Sequence, residues 1–164
     1  MLNNPKKIIL AIVILVILGI AYWLISPLFI NKKVNETFED IMKMAATETP
    51  QISEPIYTEP QVIIQGTFEG KGSHSAQGAA KLVKAGSKYF IRFEEDFHVT
   101  NGPDLYVYLG KNDHYEVSTK ISSLKGNMGG QNYEVPENIK VSEYNEVWIW
   151  CRAFSVPFGK ATLK

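Results

Sequence analysis

The pattern of apolar and polar positions begins with an unbroken apolar run at residues 8–30, which contains no charged side chain. As a helix, this run would extend about 34 Å, enough to cross the roughly 30 Å hydrocarbon core of a bilayer. Neither a small-x-small cleavage site nor a cysteine follows the run. The pattern therefore favours a retained, single-pass membrane anchor over a cleaved signal peptide or a lipoprotein signal.

Beyond the run, residues 34–47 have the pattern of a short amphipathic helix. Apolar side chains recur on one helical face, at Phe38, Ile41, Met42 and Ala45. Residues 47–61 then carry three evenly spaced prolines with glutamates between them. This composition predicts an extended, stiff linker that holds the following domain away from the membrane.

From residue 62 onward, short runs of β-branched and aromatic residues alternate with Gly, Asn and Pro clusters. No helical pattern lies between these runs, which argues against a parallel α/β sheet. We expect an all-β fold, an antiparallel β-sandwich or small barrel of about seven to nine strands, preceded by one N-terminal transmembrane helix. Strands are predicted at residues 62–68, 79–83, 89–93, 105–109, 133–135, 147–152 and 159–163.

These patterns divide the chain into three parts: an anchor with flanking lysines at 1–33, a juxtamembrane helix and linker at 34–61, and a β domain at 62–164. The four charged residues before Val34 are all lysines, and the rest of the chain holds 13 basic and 17 acidic residues, a net charge of −4. A mildly acidic domain is a poor partner for nucleic acid. Lysines flank both ends of the anchor, so their charge barely distinguishes its two orientations. For an N-terminal anchor we expect a cytoplasmic N-terminus and an extracytoplasmic domain at the cell membrane.

Cys151 is the only cysteine and closes an apolar strand pattern. A lone thiol cannot form an internal disulfide, so it is a buried hydrophobe, a reactive sulfur or a ligand. A reactive cysteine needs a positive, partly open setting, whereas aliphatic neighbours favour burial. Strand alternation puts Val147, Ile149 and Cys151 on one face and Trp148, Trp150 and Arg152 on the other.

Other candidate chemistry is sparse. The histidines have no zinc spacing, and no His or Met follows Cys151, so neither a zinc site nor a cupredoxin-type copper site is predicted. No metal site or cofactor is evident, and a non-covalently bound haem is left open without a residue that favours it. The histidines are His74, His98 and His114.

Two surface features have competing interpretations. The acidic residues at 94–96, with Asp104 nearby, lack the spacing of a calcium loop and fit a solvated turn better. Four aromatic side chains would share a second sheet face, as a stacking surface or as packing. They are Tyr106, Tyr108, Trp148 and Trp150.

Several motifs follow one another in a fixed order along the chain. They are GTF at 66–68, SHSAQG at 73–78, FEEDF at 93–97, GPDLYV at 102–107, LKG at 124–126, GQNY at 130–133, Pro136, VWIWC at 147–151, FSV at 154–156 and FGKA at 158–161. Together they resemble the DM-thirteen domain, also called the electron-transfer DM domain, over residues 65–163. The resemblance implies an extracytoplasmic β-sandwich of the kind found beside DOMON-type cytochrome domains.

The resemblance also implies a role for the thiol, because the family has a cysteine proposed to act in redox or electron transfer. Cys151 occupies that position. We expect electron transfer or thiol redox chemistry at Cys151, with a separate redox protein as partner and the lipid bilayer holding the N-terminal helix. The sequence leaves enzymatic activity open and favours a protein that is not an enzyme by itself.

Two alternatives remain. In one, the domain is a non-catalytic ligand-binding or scaffold module and Cys151 only packs in the core. In the other, a Cys151–Cys151 bridge joins two copies, which an inward-facing thiol disfavours. A hydrolase is disfavoured because no nucleophile–base pair stands out.

Overall fold

The computed structural model describes residues 5–46 and 59–164, except the side chains of residues 27–29. Helix α1 (Pro5–Phe29) confirms the predicted long apolar helix. Its stretch Pro5–Ser26 has a mean hydropathy of 3.1, and none of it is buried in the protein. This length and composition are sufficient to cross a membrane, and signal sequences share them.

The remainder of the described chain is mostly β-structure. Its strands are β1 (Gln61–Gly70), β2 (Ala76–Gln77), β3 (Ala79–Ala85), β4 (Lys88–Phe93), β5 (His98–Val99), β6 (Leu105–Lys111), β7 (His114–Ser123), β8 (Gln131–Glu134), β9 (Glu146–Cys151) and β10 (Val156–Thr162). Eight of them form one antiparallel sheet in the order β7-β6-β9-β10-β1-β3-β4-β8, and β2 pairs with β5. The sheet curls around one apolar core as a half-barrel, so the predicted all-β antiparallel class is confirmed.

Strand β9 lies near the middle of the sheet, between β6 and β10. Its alternation is the one predicted, since Val147, Ile149 and Cys151 are fully buried in the core. Cross-strand neighbours complete this layer, with Ile149 opposite Val107 and Cys151 opposite Leu105. Because each second residue points to the same face, a one-residue shift in register would turn this whole row outward.

The edge strand β7 is absent from the sequence prediction. Its ten residues do not alternate between apolar and polar, and only Thr119 among them is buried. The Thr119 hydroxyl donates to the carbonyl of Leu109, where the ladder between β6 and β7 shifts register. The hairpin turn before β7 has φ values of 56° at Asn112 and 61° at Asp113. Asn and Asp tolerate this left-handed conformation, which is typical of a two-residue hairpin turn.

Helix α2 (Phe38–Ala46) is shorter than the predicted helix at 34–47, and it begins at Phe38 because the preceding residues are extended. Thr37 caps it: the Thr37 hydroxyl accepts from the Asp40 amide at 3.3 Å, and the Asp40 carboxylate accepts from the Thr37 amide at 2.8 Å. This reciprocal pair resembles a capping box and stops the helix from extending toward residue 34.

Helix α2 packs on the outside of the sheet. Ile41 is fully buried in a small cluster with Val83, Ala85 and Phe90 from β3 and β4. Of the predicted linker at residues 47–61, residues 47–58 lie outside the described residues, and Gln61 is already the first residue of β1. The domain boundaries at residues 33 and 61 therefore stay a prediction. The described residues before and after 47–58 both contact the same sheet, since α2 packs on β3 and β4 and β1 pairs with β3.

The loops gather at two opposite ends of the sheet, as the strand registers require. We call the end where β9 stops the thiol end, and the opposite end the hairpin end. The thiol end comprises residues 70–75, 94–104, 124–130 and 152–155, and the hairpin end comprises residues 86–87, 112–113 and 135–145.

Candidate functional site

Cys151 is the last residue of β9 and lies between Leu105 of β6 and Val156 of β10. Its exposed fraction is 0%, and it belongs to the main apolar core, which confirms the predicted inward orientation. In the part of the chain that the structure describes, its sulfur has no hydrogen-bond partner. The candidate site is therefore centred on a free, fully buried thiol at the thiol end of the sheet.

The histidines do not form a catalytic pair with this thiol within the described residues. His74 stacks on Phe158 instead, with ring centroids 3.6 Å apart and planes 9° from parallel. His98 pairs with β2, and His114 starts β7 at the hairpin end. A nucleophilic cysteine needs a base within hydrogen-bonding reach, and this arrangement supplies none.

A layer of apolar side chains lies between His74 and the strand that carries the thiol. Phe158 and Leu105 approach each other over Gly102, where an added Cβ would lie 2.9 Å from both side chains. Leu105 is also the cross-strand neighbour of Cys151. Gly102 thus permits the tight packing that covers this end of the core.

The opposite face of the sheet carries an aromatic cluster. Trp150 and Tyr115 stack with centroids 4.0 Å apart, and Tyr108 meets Tyr115 at 5.2 Å in an edge arrangement. The Arg152 guanidinium lies 4.6 Å from the centre of the Tyr106 ring. Burial, followed by the neighbouring Tyr115, raises the pKa of Tyr108, so this phenol stays neutral near pH 7. The predicted shared face is present, although Tyr108 is only 5% exposed.

Trp148 lies on this outer face but is buried beneath charged side chains. Its indole N–H donates to the Glu146 carboxylate at 3.0 Å, and the Lys160 ammonium lies 5.8 Å from its ring centre. Lys160 also pairs with Asp113 at 2.7 Å. Burial alone would lower the pKa of Lys160, but the bond to Asp113 and the charge of Glu146 outweigh it and raise the pKa. The sequence pattern does not indicate this network because its members come from three separate parts of the chain: β9, β10 and the turn between β6 and β7.

The acidic residues near the thiol end serve local structure. Glu94 pairs with Lys81 at 2.8 Å and with Arg92 at 3.2 Å. Asp104 holds Arg152 at 3.1 Å, and its carbonyl accepts from the Arg152 amide. Among the described residues, no group of three or more His, Cys, Asp or Glu side chains could hold a metal ion.

Two cavities lie near opposite ends of the sheet. The cavity at the thiol end has a volume of about 380 Å³ and lies between the end of α1 and two loops, with Ser26, Ile30, Asn101 and Asp104 among its walls. The cavity at the hairpin end has a volume of about 450 Å³ and is lined by residues 87–89, 135–137 and 139–142. Neither wall contains a Cys, His or Met, the usual axial ligands of haem.

The sequence of the β domain matches a known protein family. The sequence model of a family described as electron transfer DM13 matches residues 67–163, more than half of the chain, and the match includes Cys151. The chain belongs to the electron-transfer DM13 family. The resemblance drawn from the sequence motifs is thereby confirmed. No curated protein and no solved structure matches the chain.

Membership of the DM13 family supports a redox or electron-transfer role for the domain. The complete burial of the Cys151 sulfur limits how this thiol can take part in redox chemistry. Thiol–disulfide exchange needs a thiolate that can reach another sulfur directly. A fully buried sulfur in the DM13 half-barrel cannot do this until the end of β9 opens.

Proposed function

We propose that this DM13 protein is a membrane-anchored, extracytoplasmic electron-transfer protein in which Cys151 is the redox group. The match to the DM13 family over a range that contains the only cysteine is the observation that carries the proposal. Helix α1 is the anchor, with the N-terminus in the cytoplasm. The electron partner is a separate redox protein.

The chemistry follows from the burial of the sulfur. The Cys151 thiol gives one electron to a strongly oxidising metal centre of the partner and, when the end of β9 opens, one proton to solvent, which leaves a thiyl radical. Uptake of one electron and one proton restores the thiol. Electron transfer through packed atoms needs no direct contact between the sulfur and a partner atom, so it suits a buried thiol better than exchange does.

The test uses the full chain in lipid nanodiscs and hexachloroiridate(IV), a one-electron oxidant strong enough to oxidise a thiol. We expect the native chain to reduce the iridium(IV) complex faster than Cys151→Ala, while Val117→Ala, at an exposed position of β7, matches the native rate. Equal reduction by the native chain and by Cys151→Ala would contradict the role of the thiol. Electron paramagnetic resonance of rapidly frozen samples checks for a sulfur-centred radical.

The anchoring has its own test. We expect the full chain to remain with membranes after an alkaline carbonate wash, and a tag at the C-terminus to be accessible from outside intact cells. Release by carbonate would contradict the anchor, and a tag protected in intact cells would contradict the orientation.

A second function, a non-catalytic scaffold or ligand-binding module, is favoured by one observation: the sulfur is completely sealed in the core. In that case Cys151→Ser would lower stability without changing electron transfer or partner binding. If Cys151 is the redox group, both Cys151→Ser and Cys151→Ala lose electron transfer relative to the native chain, and if the domain is a scaffold, neither does. Only serine adds the stability cost of a buried hydroxyl.

A further inference from the structure

The chain that leaves α1 attaches to the β domain at once. The Asn31 side-chain oxygen accepts from Asn101 at 2.9 Å and from Asn127 at 3.0 Å. The Lys32 amide donates to the Asn127 side-chain oxygen at 2.7 Å. Both loops that provide these contacts belong to the thiol end.

The attachment continues as far as α2. The Val34 amide donates to the Met128 carbonyl at 2.9 Å, and the Glu36 amide donates to the Gly130 carbonyl at 3.0 Å. The Glu36 carboxylate accepts from the Lys125 ammonium at 2.8 Å and from the Asn132 amide at 2.7 Å. We call residues 31–37 the docking segment.

The glycines of the loop at 126–130 explain how the docking segment comes so close. At Gly126 an added Cβ would overlap the Lys32 carbonyl, and at Gly129 it would overlap the Val34 carbonyl. The backbone of the docking segment therefore occupies the space that side chains would need. This arrangement is a built interface rather than a loose contact.

The distance between the membrane helix and this interface is short. Helix α1 ends at Phe29 and the first docking contact is at Asn31, two Cα steps or at most about 7.6 Å away. Each headgroup layer of a bilayer is roughly 5–7 Å thick. If α1 crosses the membrane, the loops that contact Asn31 must lie at the headgroups.

A second observation points to the same surface. Phe154 is 59% exposed in the turn after β9, at the thiol end. Its turn is tied to the cavity at the end of α1, because Arg152 pairs with Asp104, which lines that cavity with Ile30. An exposed aromatic ring beside a membrane helix is typical of side chains that enter the interface.

We propose that the DM13 domain sits directly on the bilayer of its own anchor, with the thiol end against the lipid headgroups and Phe154 inserted among them. This inference rests on the proposed membrane anchoring. The predicted linker at 47–61 then connects α2 to β1 after the chain has docked, and it does not set the distance of the domain from the membrane. The end of β9 that carries Cys151 faces the membrane, so an electron partner reaches it at the bilayer surface.

The experiment places an environment-sensitive fluorophore at two exposed apolar positions of the full chain in phosphatidylcholine vesicles. Phe154→Cys tests the thiol end, and Val117→Cys is the matched control, since Val117 is 68% exposed on β7. Val117 lies in the bulged part of β7 between the pairs Tyr108–Lys120 and Gly110–Tyr115, and therefore toward the hairpin end of the sheet. The unlabelled parent chain, whose only thiol is buried, measures the background.

We expect about a twofold loss of fluorescence at position 154 with a shallow nitroxide-labelled lipid, and protection from aqueous iodide. Position 117 should show the opposite behaviour. Glu36→Gln, which weakens the docking segment, should reduce the lipid quenching at position 154.

The outcomes separate this inference from the anchoring. Iodide access at both positions, in a chain that stays with the vesicles after a carbonate wash, would contradict the contact between the thiol end and the headgroups. It would not contradict the membrane anchoring. Protection from iodide without lipid quenching would mean that protein covers position 154. This result would also contradict the contact between the thiol end and the headgroups. Release of the chain by carbonate would overturn both proposals.

Discussion

Arg92 is a charged residue with 3% of its side chain exposed, and its partners explain how it can be buried. Its guanidinium donates to Glu94 at 3.2 Å, to the Asn132 side-chain oxygen at 2.9 Å and to the Glu36 carbonyl at 3.2 Å. A buried charge is tolerated when it is paired and its donors are satisfied. Arg92 thereby connects β4, β8 and the docking segment.

Glu94→Gln tests this pairing through its pH dependence. Burial alone would raise the pKa of Glu94, but hydrogen bonds from Lys81 and Arg92 outweigh it and lower the pKa below its ordinary value of 4.5. The carboxylate therefore stabilises the fold above about pH 4.5, and this contribution is lost as pH falls through the lower folded-state pKa. We expect Glu94→Gln to lower the free energy of unfolding by about 1 kcal/mol at pH 7.

The measurement is urea unfolding of both chains between pH 3 and pH 7. The difference between native chain and variant should shrink below about pH 4. Glu116→Gln, at an exposed position of β7, serves as control and should follow the native curve. A difference that stays constant over this range would contradict the ionic contribution.

Cys151→Ser tests the packing of the thiol. A hydroxyl at a site with 0% exposure and no described hydrogen-bond partner should lower the free energy of unfolding by about 1–3 kcal/mol. Chemical denaturation followed by circular dichroism measures this change. Labelling of the native thiol should be slow until denaturant is added, and rapid labelling of the folded chain would show that the sulfur is open.

At the scale of elements, the strands with regular alternation were predictable and the others were not. The alternation in β6 and β9 located both strands and oriented Cys151, since each strand buries one face. Strand β7 was not predicted because it lies at the exposed edge of the sheet and has no continuous apolar face. The docking segment was not predicted for another reason: its partners lie 56–96 residues away in sequence, so no local pattern identifies them.

Gly129→Ala tests the docking segment, with Gly72→Ala as its control. Both glycines have positive φ, 85° at Gly129 and 63° at Gly72, so alanine is strained at either position. Only at Gly129 would the new Cβ also overlap the Val34 carbonyl, whereas Gly72 has open space. We expect a loss of about 1–2 kcal/mol for Gly72→Ala and about 3 kcal/mol or more for Gly129→Ala. Equal losses in urea unfolding would mean that the docking segment adds nothing to stability.

At the scale of the whole molecule, the docking segment and α2 belong to the same packed body as the half-barrel. Ile41 fills a cluster with Phe90 that the sheet alone would expose to water. Glu36 likewise satisfies the Lys125 ammonium and the Asn132 amide. The β domain predicted to begin at residue 62 therefore lacks part of its packing when it is cut there.

Two truncated chains, 31–164 and 62–164, measure this contribution. Both lack α1, and they differ in the docking segment, α2 and the linker. We expect the shorter chain to be less stable by about 3 kcal/mol or more, from the loss of the Ile41 packing and the Glu36 bonds. Equal unfolding midpoints in urea would show that residues 31–61 are a tether and not part of the fold.

The sequence by itself determined the apolar N-terminal helix, the antiparallel β class and the inward face of Cys151. An unbroken apolar run and side-chain alternation are properties of consecutive residues, so they can be read without knowing the fold. The motif order likewise identified the DM13 family. Only the tertiary structure decided that the thiol is sealed at one end of a curled sheet, and that residues 31–37 bind this end beside α1. Both features depend on which residues, distant in sequence, come into contact when the sheet curls around its core. Such contacts produce no periodic pattern in the sequence.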